Sequence, residues 1–214
     1  MRVRDKMTPH PITVTKEKSV RQAWRLIREK GIRRLPVVEG KKLIGIVTDR
    51  DLRLALPSPL QVEAIEELLQ RFDRLKVQDI MRKDVIVVSP ETPVEDAAWI
   101  LISRKIGGLP VVSGEELVGI ITETDLLEAL VEVLGIWATG SRVELVVEER
   151  PEAYNEVSRV VQERGGKVLD AVAARVADQG RERPVLIVRV KTPELEELIR
   201  ALEEAGCLVL PPAL

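Results

Sequence analysis

Apolar positions fall into two alternating rhythms along the chain, and the same succession occurs twice before residue 131. Ile12 and Val14 stand two apart, as in a short extended segment, and Ile86 and Val88 do the same. Ala23, Leu26 and Ile27 then form the stripe of an amphipathic helix, repeated by Ala97, Ala98, Leu101 and Ile102. Before the second stripe, Thr92-Pro93-Val94-Glu95 reads as a capping box with proline at the first helical position. Leu35–Val38 and Leu109–Val112 both spell LPVV, an apolar run suited to a buried strand. A turn holding Gly40 or Gly114 leads into LIGIV or LVGII, the second arm of a hairpin. Thr48 or Thr122 ends that arm, and Asp51-Leu52 or Asp125-Leu126 opens another helix. Each copy therefore predicts β-α-β-β-α.

The copies are related without a gap. Displacing the chain by 74 residues sets Val3–Leu56 on Val77–Leu130 with 22 identities in 54 positions, too many for chance. VRDKM meets VQDIM, and GIVTDRD (Gly45–Asp51) meets GIITETD (Gly119–Asp125). Between the copies, Leu60, Ala64, Leu68, Leu69 and Phe72 fall at helical spacing, which predicts a helical connector over 57–76 or a dimer contact. The expected organisation is repeat 1 over 1–56, the connector, repeat 2 over 77–135 and a linker over 136–140.

Residues 141–214 follow a different pattern. An extended run, RVELVVEE, precedes a helix from Glu152 to Arg164 that Gly165-Gly166 stop. Strands are expected over Lys167–Val176 and Pro184–Val190. Thr192-Pro193 cap a second helix carrying Leu195, Leu198, Ile199 and Leu202, Gly206 ends it, and Cys207–Leu210 form a last strand. The order is βαββαβ, the split βαβ arrangement with helices on one face of an antiparallel sheet. The fold class is α+β.

Composition narrows the function. The net charge is −2, with no basic tail, and aromatics make up only 2% of residues, which argues against a nucleic-acid binder. No apolar run approaches the roughly 20 residues of a membrane span, and MRVRDKMTPH lacks a signal peptide's apolar stretch, so a cytoplasmic location is expected. One histidine, His10, and one cysteine, Cys207, make a zinc site or a Cys–His pair a poor reading. Neither a P-loop nor a G-x-G-x-x-G is present. Gly107-Gly108 read as turn glycines. Trp24 and Trp99 are expected at a module or dimer interface, and Trp137 in the linker.

The paired units, with LPVV and G-h-h-T-x-x-D in each, resemble a tandem CBS-domain pair, or Bateman module, over about residues 1–135. The resemblance implies two repeats about a pseudo-twofold axis, with two clefts for adenosine-containing ligands. It assigns Asp51 and Asp125 to the ribose hydroxyls, where one carboxylate accepts two hydrogen bonds. Thr48 and Thr122 would meet ribose or phosphate, and Gly45 and Gly119 would let ligand and backbone approach. The plainer reading is that each Thr-x-x-Asp caps its helix; the two roles are compatible. Arg33, Arg34 and Arg50 are expected to give the first cleft its phosphate site. The second, with Gly107-Gly108 and Thr124, would suit a nucleoside. The stretches Ile12–Thr15 and Ile86–Ser89, with Thr13, Thr15, Val87 and Ser89, are those the resemblance implies for adenine.

The βαββαβ segment resembles an ACT-type, ferredoxin-like regulatory domain. Glu149-Arg150-Pro151-Glu152 stands where that family commonly has a glycine-containing loop, which counts against an amino-acid site. The domain order is similar to AcuB-type acetoin-utilisation proteins. Together these imply a homodimeric regulator that is not an enzyme. No cofactor would be tightly bound. An adenine nucleotide or S-adenosylmethionine would be the regulatory ligand, and an unidentified protein the partner. An amino-acid sensor acting through the last domain and a dimerisation scaffold with empty clefts are the rival readings.

Overall fold

The computed structural model describes residues 1–55, 73–133, 139–146, 152–178 and 181–210. The connector apolar residues Leu60 to Phe72, Trp137 and Glu149–Pro151 lie outside them. The chain divides into two compact units, Met1–Ala129 and Leu130–Leu214.

In the first unit the elements run β1 (Thr8–Pro9), β2 (Val14–Thr15), α1 (Val20–Lys30), β3 (Arg34–Glu39), β4 (Lys42–Thr48) and α2 (Asp49–Leu54). After the connector come α3 (Val77–Ile80), α4 (Val94–Arg104), β5 (Gly108–Ser113), β6 (Glu116–Thr122) and α5 (Glu123–Val133). Each LPVV strand pairs antiparallel with the strand after it, in the same register: Val37 faces Gly45 and Val111 faces Gly119. The hairpins join edge to edge at Lys42 opposite Glu116, giving one six-stranded sheet. In repeat 2 the opening strand shrinks to one parallel bridge, Val88 to Val111.

Two apolar cores follow from the repeats. Val14, Ala23, Ile27, Leu35, Val47 and Leu52 close the first; Val88, Ala97, Leu101, Leu109 and Ile121 close the second. One feature departs from the sequence reading, which kept each repeat self-contained. Val3 is fully buried in the second core, and Val77 in the first. The backbone fastens the exchange: Val3 N–H donates to Thr92 O at 2.8 Å, and Val77 N–H to Lys18 O at 2.9 Å. Each VRDKM-type segment thus completes the other copy, and the two repeats need one another to fill their cores.

The exchange also replaces the expected capping box of α4. Pro93 is the N-cap, without a side-chain bond, and Thr92 Oγ1 accepts from Ser89 N–H instead. Met1 O accepts the Val94 N–H, so a main-chain group from the N-terminus does what a threonine hydroxyl was expected to do. Helix α1 has its own box, Ser19 with Gln22, and ends at Gly31 in the left-handed conformation.

The second unit runs β7 (Ser141–Val146), α6 (Ala153–Glu163), β8 (Lys167–Asp178), β9 (Arg181–Lys191), α7 (Leu195–Glu204) and β10 (Leu208–Leu210). The sheet order is β10-β7-β9-β8, antiparallel throughout. β8 runs on to Asp178 and β9 starts at Arg181, both further than the apolar pattern indicates, because alternate positions of a paired strand are free to be polar. Val157 and Val161 of α6 and Leu198 and Leu202 of α7 pack with Val143, Leu145 and Val188, so both helices cover one face. Cys207 is half-buried against this core.

Candidate functional site

Helices α2 and α5 begin two residues earlier than the apolar pattern predicts, at Asp49 and Glu123. Thr48 is the N-cap of α2, so Asp51 falls at the third helical position. Asp51 Oδ2 accepts from Thr48 N–H at 3.0 Å and from Thr48 Oγ1–H at 2.6 Å. Thr48 Oγ1 in turn accepts from Asp51 N–H at 3.2 Å, closing a capping box. The second copy repeats the arrangement: Asp125 Oδ2 accepts from Thr122 N–H at 2.7 Å and Thr122 Oγ1–H at 2.8 Å. The cap therefore uses one carboxylate oxygen and leaves the other, Oδ1, with its lone pairs.

The two free oxygens meet different surroundings. Asp125 opens on a cleft of about 460 Å³. Thr122, Glu123, Thr124 and Ile120 form one wall; Thr8, Pro11 and Ile12 form a second; Ile32, Arg33 and Arg34 form a third. No described residue bonds to Asp125 Oδ1. Asp51 Oδ1, by contrast, lies 3.4 Å from Arg82 Nη2, and its side chain is only 11% exposed.

This placement corrects the assignment of cations. Arg33 and Arg34 line the cleft of Asp125. The hairpin topology explains the crossing. Arg34 starts β3 opposite Thr48, and Arg33 O accepts the Asp49 N–H at 2.9 Å, so their backbone belongs to repeat 1. The Arg34 side chain passes over Gly107 and Gly108, where a Cβ would collide with it, and arrives beside Glu123. The glycines read as turn residues are thus the bed of this arginine. Burial pushes the Arg34 guanidinium down from its usual range, and the Glu123 and Asp49 carboxylates oppose that. Arg50 is exposed on α2.

The glycines of the repeated motif serve the exchange. A Cβ on Gly45 would lie 2.8 Å from Met81 Sδ and 3.0 Å from Arg82 O; one on Gly119 would lie 2.5 Å from Met7 Sδ. What approaches each glycine is the segment arriving from the other repeat.

Of the expected adenine contacts, Thr13 and Thr15 line a separate groove of about 310 Å³ against Gln22, Arg25 and Leu26 of α1. Val87 lines another of about 230 Å³ beside Leu43 and Ile44. Ser89 is engaged in the turn with Thr92. Ile12, the first residue of that stretch, lines the Asp125 cleft together with Pro11. Glu123, inside the second motif, was missed, as were Thr8 and Arg82, which only the crossing of the repeats, without a local signature, brings to the motifs. Among the described residues no group of three or more His, Cys, Asp or Glu is arranged to hold a metal, and no helix is long and apolar enough to cross a membrane.

Comparison with known proteins agrees with this architecture. A Vibrio cholerae protein assigned to acetoin utilization (AcuB) superimposes with a TM-score of 0.54 at 32% identity, over 66% of this chain and 98% of that one. CBSX2 of Arabidopsis thaliana, solved in complex with AMP, gives 0.52 at 32% identity, over 62% and 97% of the respective chains. The CBS pair of protein MJ0100, solved with 5′-methylthioadenosine and S-adenosyl-L-methionine, gives 0.51 at 28% identity, over 61% and 95%. The family model for the CBS domain matches residues 3–58 and again 77–132, the two copies found by the 74-residue displacement. With both repeats matched and more than half its length covered, this chain belongs to the CBS-domain family.

Proposed function

We propose that this chain is a non-catalytic regulator whose CBS pair senses an adenosine-containing metabolite: AMP, ADP, ATP or S-adenosylmethionine. The observation that carries the reading is Asp125. Its Oδ2 is held by Thr122, which fixes the carboxylate in the first turn of α5, and Asp125 lines a cleft of about 460 Å³. One oxygen with two lone pairs suits the neighbouring hydroxyls of a ribose. Ile12, Ile32 and Ile120 offer apolar surface for a base, and Arg33 and Arg34 offer charge for a phosphate. Relatives of similar fold support the ligand class, since CBSX2 was solved with AMP and MJ0100 with two adenosine derivatives.

A homodimer is part of the proposal. Trp99 and Ile102 on α4 are each 70% exposed, and Leu127 on α5 is 62% exposed, a costly display for an isolated surface. The second unit is read as an ACT-type domain on the strength of its strand order, and as the part that relays the ligand's effect to a protein partner. Ligand binding shifts the repeats only in so far as it prefers one packing. The likeness to AcuB supports a role in acetoin or carbon metabolism.

Calorimetric titration with AMP, ADP, ATP, adenosine and S-adenosylmethionine tests the reading. Asp125→Asn keeps an oxygen for Thr122 and replaces the free one by an amide that donates. Saturable binding that this variant weakens at least about tenfold, as loss of a charged acceptor implies, supports the ribose role. Absence of heat with every ligand would sink it.

A further inference from the structure

The 74-residue relation makes the surroundings of Asp51 and Asp125 directly comparable, and they differ at the position held by Arg82 and Thr8. Thr8 pairs with Ile120 on β6, beside Asp125. Its counterpart, Arg82, pairs with Ile46 on β4, beside Asp51. Both are held by the same exchanged segment, and Arg82 is fixed by two backbone bonds, Ile46 N–H to Arg82 O at 3.0 Å and Arg82 N–H to Ile46 O at 2.9 Å. Threonine is too short to reach across; arginine is not. Arg82 Nη2 therefore stands 3.4 Å from Asp51 Oδ1, the one oxygen the cap leaves free.

We propose that Arg82 is a specificity latch that makes Asp51 favour phosphorylated adenosine ligands, while Asp125, which has threonine at this position, also accepts uncharged ones. The inference rests on the ribose role of the Thr-x-x-Asp pair proposed above. Two hydroxyls approaching Asp51 Oδ1 displace a guanidinium from a carboxylate that is almost out of solvent. A nucleoside gives the released cation no partner, and a sulfonium repels it. A phosphate gives it a bidentate acceptor. The Arg82 side chain is 66% exposed, so it is free to swing from carboxylate to phosphate without unpacking a core. The energetic scale is that of a single, partly screened ion pair, enough to set selectivity and too small to exclude other ligands outright.

The test uses the full chain with Asp125→Asn as background, so that the second site is weakened and binding at Asp51 dominates the signal. AMP and adenosine are titrated by calorimetry, with and without Arg82→Thr, the residue found in the other copy. The expected result is a preference for AMP over adenosine of about tenfold, the worth of one charge-assisted contact. With Arg82→Thr, adenosine binds about fivefold tighter and AMP weaker, so that the preference nearly vanishes. An unchanged ratio overturns the latch while leaving the ribose reading intact. Loss of all binding in the Asp125→Asn background alone also overturns it, because Asp51 then builds no site. Absence of binding in the unmodified chain removes the ribose reading itself. An unchanged far-UV circular dichroism spectrum confirms that the variants fold.

Discussion

Gly107 yields its side-chain space to Arg34. A Cβ there would overlap Arg34 Nη2 and stand 3.0 Å from Glu123 Oε2, and on Gly108 it would press the arginine stem at 3.1 Å from Cδ. The atom met at Gly107 is the tip of a flexible chain, so the overlap is relieved by moving the arginine. Gly107→Ala is therefore expected to cost no more than about 1 kcal/mol of stability while moving Arg34 from Glu123. Urea unfolding and AMP titration together check this: near-parental stability with affinity for AMP reduced more than for adenosine. Equal losses for the two ligands would mean that Arg34 does not meet the phosphate.

Gly45 and Gly119 make the contrasting case. Their would-be Cβ atoms meet backbone as well as methionine: Arg82 O at 3.0 Å for Gly45, and Thr8 O at 3.2 Å for Gly119. Backbone held in a strand pair does not move aside cheaply. Either alanine variant is expected to lose about 1–3 kcal/mol, as overpacking does. Because the exchanged segments carry Val3 and Val77, Val3→Ala should likewise cost about 1–3 kcal/mol although it stands near the terminus. Denaturant unfolding monitored at Trp24 and Trp99 reads both. A Val3→Ala variant as stable as the parent would show that the N-terminal segment is not part of the second core.

The repeat, the order of elements and the Thr-x-x-Asp caps were legible because they rest on local chemistry: periodicity, capping and turn glycines. LPVV at two places fixes two buried strands, and Thr48 with Asp51 closes its own box within four residues. The crossing was not legible. Val3 and Val77 read as ordinary apolar residues of their own repeats, and no local pattern reveals that each fills the other's core. The same crossing brings Met81 and Met7 onto Gly45 and Gly119, and it sets Arg33 and Arg34 beside Asp125, the aspartate more distant in sequence.

Lys105 occupies the position that Gly31 holds in the first copy and, like it, has positive φ: 52° against 63°. A lysine there crowds its Cβ against the following carbonyl, at a cost of about 1 kcal/mol relative to glycine. Lys105→Gly is expected to raise stability by about 0.5–1 kcal/mol, partly offset by the greater freedom glycine has when unfolded. Thermal unfolding is the measurement. A lower midpoint would mean that the lysine side chain makes a contact worth more than the strain.

Lys16 and Glu39 link the end of β2 to the end of β3, with Nζ 2.5 Å from Oε1. The hydrogen bond from Lys16, followed by its charge, lowers the Glu39 carboxyl below its usual range; the bond to Glu39 raises the Lys16 ammonium above its own. The signs set a window. A depressed carboxylate contributes above its unfolded value and loses that contribution as pH falls through the lowered one. A raised ammonium contributes below its unfolded value and loses it as pH climbs through the raised one. The bridge therefore acts across the neutral range and fades at both acid and alkaline ends. Both groups face solvent, so the effect is small and weakens with salt. Carboxyl titration by NMR is expected to show a depressed Glu39 midpoint that returns to the ordinary range in Lys16→Met and shrinks toward it in 1 M salt, where the Debye length falls to about 3 Å. A Glu39 midpoint indifferent to both changes would show that the two side chains do not pair in solution.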